Sequence, residues 1–393
     1  ETEWGIGWLP LGGYVKIAGM IDESMDKEQM AKPPKSWEFR SKPSWQRLIV
    51  MLGGVTINFI LAIIIYIGLA YSYGSSSISL DSIDDGFVIT NPILKEAGFK
   101  TGDKIITVDG QTLETYSDLR KSIIGSTYYQ VERDGNILEI QLPVDFLGKL
   151  SSSEDMSSFE FRMPFIIQSV SEESLNKDYD IRQGDRIVSV NGQEIKYVDQ
   201  LVPLLQQNSN QTIEVELIRD SFRIKKTLNV NEDGKLGIMH GATVQNMVDL
   251  GLMKVSNNSY SFLESIAVGT NNFVSFMGFY FDQLVAIFNP STGAYKGLGG
   301  FIAIGNIFPS TWDWQSFWNT TALLSVMLGV LNLLPIPALD GGHAMFLVYE
   351  MVSGRKPSDK FMETVQVIGF IILLALVIFA NGNDIYKLFN FIV

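Results

Sequence analysis

Cysteine is absent from the 393 residues, and histidine occurs only as His240 and His343. Without cysteine no disulfide staples any part of the fold, an absence compatible with reducing and oxidising compartments alike. Basic residues are also in deficit, 30 against 43 acidic, for a net charge of −13. That balance argues against nucleic acid as a partner. Charge of either sign is missing from long stretches. Leu48–Leu80 and Thr364–Asn383 contain none, and Trp314–Tyr349 contains a single charged residue, Asp340. A bilayer-spanning helix needs roughly 20 apolar residues, so spans are predicted at 48–73, 314–352 and 362–383. None of them sits at the N-terminus ahead of a cleavage site, which sets them apart from signal peptides.

Orientation follows from the flanks. Lys32, Lys35, Arg40, Lys42 and Arg47 precede the first span, and Arg355, Lys356 and Lys360 lie between the second and third. Both flanks read as cytoplasmic by the positive-inside rule, which places the region between the first and second spans on the far side. From Gly74 to Tyr260 that region holds 28 acidic and 18 basic residues, most of the net negative charge. The chain begins Glu1-Thr-Glu-Trp without an initiator Met, and the expectation is a piece of a longer protein.

Asp340 is the most informative residue. It closes the run Asn332-Leu-Leu-Pro-Ile-Pro-Ala-Leu-Asp340-Gly-Gly-His343. A carboxylate at membrane depth is costly and marks a functional site by default. Pro335 and Pro337 each remove a backbone donor and stop a regular helix. Irregular backbone at that depth persists only where protein or a watered cavity satisfies it. The plainer reading is an Asp that ends a helix at the cytoplasmic surface.

The acidic region contains a repeat. Thr101-Gly-Asp-Lys-Ile-Ile-Thr-Val-Asp-Gly-Gln-Thr-Leu113 aligns with Gln183-Gly-Asp-Arg-Ile-Val-Ser-Val-Asn-Gly-Gln-Glu-Ile195, six positions being identical. Each copy predicts a Gly-Asp turn, an alternating strand and a tight Asp-Gly or Asn-Gly turn. A helix follows at Tyr116–Ile124 or Tyr197–Gln206, then a strand at Tyr128–Arg133 or Thr212–Arg219. Two small α+β domains are expected, at 78–145 and 160–232. Their signature resembles the PDZ domain, which implies peptide ligands added to a sheet edge, near Phe87–Thr90 and Phe165–Gln168. Spacer domains without a ligand are the alternative. After the repeat, 260–312 is read as an aromatic-rich amphipathic helix, lying on the membrane or on the core, followed by a Gly-rich approach to the Asp340 span.

The Asn332–His343 run resembles the signature of the site-2 protease family of intramembrane zinc metalloproteases. In that family the Asp of Leu-Asp-Gly is a zinc ligand, so the resemblance makes Asp340 the metal residue and Zn2+ the cofactor. Pro10-Leu-Gly-Gly-Tyr-Val-Lys16 resembles the family's membrane-entering β-hairpin, within a 1–47 hairpin and cytoplasmic linker. Gly53-Gly-Val-Thr-Ile-Asn58 resembles the start of its next span, with Gly-Gly in place of Gly-Pro. The expected fold is a polytopic α-helical membrane protein with two tandem PDZ-like α+β domains inserted between transmembrane spans. Gly12, Gly13, Tyr14, Asn58, Asn332 and Pro335 are the expected substrate contacts. For Asn332 a helix–helix hydrogen bond is the competing role.

The departure is the family's His-Glu-x-x-His, which this chain does not contain. A catalytic zinc takes three protein ligands and an open position. The resemblance therefore places two His ligands and the Glu base upstream of Glu1, with a non-catalytic adaptor or pseudoprotease as the other reading. By the same resemblance the substrates are single-span membrane proteins, such as anti-sigma factors, or remnant signal peptides. The PDZ tandem would exclude those not yet trimmed by another protease. Membrane lipid is the remaining partner, and the bacterial inner membrane the expected location.

Overall fold

The computed structural model describes Gly5 and residues 17–20, 33–153 and 158–392. The hairpin expected at Pro10–Lys16, with Gly12, Gly13 and Tyr14, lies outside them. Contacts divide the chain into a helical unit, residues 1–73, 260–280 and 298–393, and a repeat unit, residues 74–259 and 281–297.

Among the described residues of the helical unit three helices are long and apolar enough to cross a bilayer: Ser44–Tyr73, Trp314–Leu333 and Lys360–Phe389. The first is 30 residues long, about 45 Å at 1.5 Å per residue. The second packs against it antiparallel. Ala322 meets Ile65 and Leu69, the Ser325 hydroxyl donates to the Asn58 carbonyl at 2.8 Å, and Gly329 leaves room for the Phe59 ring. Small residues at such contacts let two spans approach closely, which is how helices associate in lipid.

The helix Phe262–Phe288 also tracks the first span through its first turns. Phe262 meets the Tyr71 ring, Gly269 abuts the Ile67 backbone and Phe273 meets the Phe59 ring. These contacts follow the first span for 12 residues, about 18 Å along its axis.

The Gly-rich segment that follows is fastened to the C-terminal helix Asp359–Ile392. The Asn381 side-chain oxygen accepts from the Phe301 N–H, and the buried Asp384 carboxylate accepts from Ile302 and Ala303 at 3.0 and 3.1 Å. Asn383 donates to the Leu298 carbonyl. These polar residues satisfy the open N–H groups of the short helix Phe301–Gly305, which would otherwise be orphans.

In the repeat unit, Lys104–Val108, Tyr128–Arg133 and Asn136–Gln141 form an antiparallel sheet in that order. The second copy orders Phe222–Asn229, Thr212–Arg219, Arg186–Val190 and Gln193–Glu194. The helices Tyr116–Ser122 and Val198–Gln207 fall where the pattern places them. Each copy has its own apolar core, one built around Leu119, Tyr129 and Phe159, the other around Leu201, Val215 and Leu228.

The signature residues explain themselves. Asp103 and Asp185, each 1% exposed, accept the N–H three residues before them and both arms of a guanidinium, Arg133 or Arg219. Asp109 and Asn191 take φ near +50°, and their side chains accept the N–H groups of Tyr128 and Glu214 on the neighbouring strand. Short polar side chains tolerate that backbone best after glycine.

The strands expected to line peptide grooves are already paired on one side. Phe87–Val88 pairs with Glu160–Phe161, and Ile167–Val170 with Ile238–His240. The sequence reading missed these short partner strands because two or three residues carry no period. Ser75–Ile78 pairs with Val255–Asn258 and joins the points where the chain enters and leaves the unit.

Candidate active site

The helix Trp314–Leu333 stops where its prolines begin, and a second helix, Asp340–Ser353, starts at the carboxylate. Each proline occupies the middle of a turn. The Ile336 N–H donates to the Leu334 carbonyl across Pro335, and the Leu339 N–H donates to the Ile336 carbonyl across Pro337 and Ala338. The first is a γ-turn. The second, with Pro337 leading and Ala338 at φ +77°, has the pattern of a type II turn, whose third position normally requires glycine. The predicted broken span is thus two helices joined by two consecutive turns.

This loop is held by backbone contact. A Cβ on Gly341 would collide with the carbonyls of Leu333 and Leu334, one on Gly342 with that of Ile336, and one on Gly369 of the C-terminal helix with that of Pro337. The Asp340 helix then continues along the N-terminal half of the first span, in the direction that the second span established. The Arg47 guanidinium pairs with Glu350 at 2.5 Å, both side chains being largely buried, and Arg47 Nε donates to the Lys42 carbonyl. Asp340 comes beside Gly54, where a Cβ would sit 3.9 Å from Asp340 Oδ2. Gly54 lies ten residues into the helix that starts at Ser44, about 15 Å along its axis.

Among the described residues the Asp340 carboxylate takes part in no hydrogen bond or ion pair. It is the first residue of its helix, where the backbone dipole favours an anion. His343 lies one turn along and borders an open cavity of about 80 Å³ that also touches Arg47, Met51, Phe346 and Glu350. The side-chain amides of Asn58 and Asn332, both half-buried, make no hydrogen bond among the described residues. The helix–helix bond weighed for Asn332 is therefore not found there. Pro335 is exposed at the centre of its turn. His240 belongs to the repeat unit and meets the Phe165 ring at a tilt of 39°, with ring centres 4.8 Å apart.

A carboxylate opening a helix inside a broken apolar span, closely backed by glycines, suits a metal or a substrate. A model of peptidase family M50 matches residues 1–376. The chain belongs to peptidase family M50. Its relatives match most of this chain. The regulator of sigma E protease of Haemophilus influenzae is 27% identical over 411 residues, covering 98% of this chain and 88% of that protein. A protein named as a zinc metalloprotease from Rickettsia conorii is 28% identical, covering 99% and 86%, and a similarly named one from Staphylococcus aureus is 26% identical, covering 91% and 63%.

The M50 chain is thus a site-2-type metalloprotease of the membrane, with zinc as its cofactor. Its described residues meet the metal's requirements in part. Asp340 offers an oxygen donor with no competing partner, yet no group of three or more metal-ligating side chains exists among the described residues. A catalytic zinc uses three protein ligands, and the described residues do not assemble them.

Proposed function

We propose that this M50 protein cleaves single-span membrane proteins within the bilayer, with Asp340 as one zinc ligand and a His-Glu-x-x-His segment upstream of Glu1 supplying the others and the general base. The observation that carries this reading is the unpartnered Asp340 carboxylate beside Gly54 at the start of its helix. Zinc, when bound, acidifies water and polarises the scissile carbonyl. The chain's own residues position the substrate. A helical substrate hides its peptide groups and has to become extended, and the free amides of Asn58 and Asn332 are placed on the two spans to bond its backbone. Gly54 keeps the approach to the carboxylate open. Gly12, Gly13 and Tyr14, which lie outside the described residues, are proposed to pair with the extended segment as an added strand.

The repeats are proposed to be PDZ domains outside the cytoplasm that act as a size filter, passing substrates already trimmed, of the anti-sigma-factor or remnant-signal-peptide kind. The bacterial relative named for sigma E regulation supports that substrate class. The basic flanks of the spans support an inner-membrane protein with the repeats on the outer side.

The test is zinc content and cleavage of a trimmed single-span substrate by the full-length protein, compared with Asp340→Asn. The expected result is about one zinc per chain and cleavage inside the apolar segment, both lost in the variant. Wild-type protein that captures the substrate without zinc and without cleavage would establish the adaptor reading instead.

A further inference from the structure

The two repeats have separate apolar cores, one ending at Phe159 and the other starting at Phe165. What joins them is polar. Arg162, in the connection, donates through Nη1 to the Asp85 backbone carbonyl of the first repeat at 3.1 Å. Its Nε and Nη2 reach both carboxylate oxygens of Asp199 in the second, at 3.2 and 2.6 Å. Its guanidinium also lies 4.6 Å from the centre of the Tyr197 ring.

The Asp85 carboxylate returns the connection. It accepts the Tyr197 hydroxyl at 2.6 Å and pairs with the Lys196 ammonium. Tyr197 is 4% exposed, so its hydroxyl needs a partner, and that partner comes from the other repeat. Two acids and two bases close the cluster with no net charge. Asp85 bonds directly to Lys196 and Tyr197 across the junction, and Arg162 bridges the Asp85 carbonyl to Asp199, a geometry more specific than a tether of five residues requires. A boundary between domains otherwise allows relative motion by default.

We infer that Asp85, Arg162, Lys196, Tyr197 and Asp199 form a latch that fixes the angle between the repeats, and that this angle sets the largest ectodomain the protease accepts. The second half rests on the size-filter reading. The five are positioning residues, remote from the chemistry and acting on specificity alone. Loss of one charged hydrogen bond shifts a two-state equilibrium by roughly tenfold, so Asp85→Ala, which removes two, opens the junction and raises cleavage of an untrimmed substrate by at least that factor. Cleavage of the trimmed substrate stays unchanged.

The experiment uses the full-length protein in nanodiscs, spin-labelled at Ile137→Cys and Phe222→Cys, one exposed site on each repeat. This chain contributes no cysteine of its own. Dipolar distances are compared for the parent, Asp85→Ala, Tyr197→Phe and the exposed neighbour control Asp84→Ala. A narrow distribution in the parent and control that broadens in the latch variants, with untrimmed substrate now cut, supports the proposal. Equal widths in all four overturn the latch. Broadening without cleavage of untrimmed substrate overturns the coupling of angle to selection. Deleting both repeats then separates the causes. If the deletion admits untrimmed substrate the filter exists and the angle is irrelevant to it, whereas if it does not the size-filter reading itself fails.

Discussion

Ala338 shows how much a single residue tolerates to place the carboxylate two positions on. Its φ of +77° is one that a residue with a Cβ takes at a cost of about 1 kcal/mol. Glycine would remove that strain, though it also loses more entropy on folding. Ala338→Gly is therefore expected to stabilise by about 0.5 kcal/mol, and Ala338→Val to cost about 2 kcal/mol because a β-branched residue fits that region worst. Thermal unfolding in detergent with the three side chains compared would show the order. A Val variant as stable as wild type would mean that the turn relaxes freely. The motif itself was legible from residues alone, since one acid in an apolar run is hard to miss. The turn types were not, because they depend on which carbonyl each N–H finds.

At the scale of elements, polar residues in spans serve as fasteners. Asp384 satisfies two N–H groups of the Phe301–Gly305 helix, and Asn381 and Asn383 hold the residues on either side. Asp384→Ala is expected to cost about 1 to 2 kcal/mol, the usual loss of a helix cap. It should release the Leu298–Phe308 segment to chymotrypsin while the Arg47–Glu350 pair elsewhere in the unit remains. Unchanged digestion would show that apolar packing holds the segment without the cap. The glycines at 297–300 are plain in the sequence, and these caps are not. Asn381–Asp384 ends a hydrophobic run in an ordinary way, and only the fold brings it against a segment about 80 positions earlier.

At the scale of the whole molecule, the repeat unit stores its pH response in desolvated ionisable groups. Burial alone would raise the Asp185 carboxyl. The two Arg219 bonds and the Arg182 N–H outweigh it and hold the carboxyl below the usual carboxylate range. A depressed acid contributes stability that is present above its unfolded pKa, about 3.9, and lost as pH falls through the folded value. His240 is exposed at its strand end but lies against the Phe165 ring, and the desolvation this brings lowers its pKa. Its contribution is complete above about pH 6.5 and declines as the pH falls. Unfolding of the repeats is thus expected in two steps on acidification, a shallow loss below about pH 6.5 and a steeper one below about pH 4. His240→Gln should remove the first step and leave the second. A single acid transition in both proteins would refute this assignment.

Composition, charge and one repeated signature were enough to reveal three apolar spans, a two-copy insertion between them and the single carboxylate of the broken span. Those features are local, set by runs of apolar residues and by turn chemistry within a dozen positions. Tertiary structure alone decided that the broken span lies along the first, that Gly54 and Gly369 close on the Asp340 loop, and that Tyr197 finds Asp85 across 112 positions. Such contacts depend on which backbones come within a few ångströms of each other, and no single stretch of the chain encodes that distance.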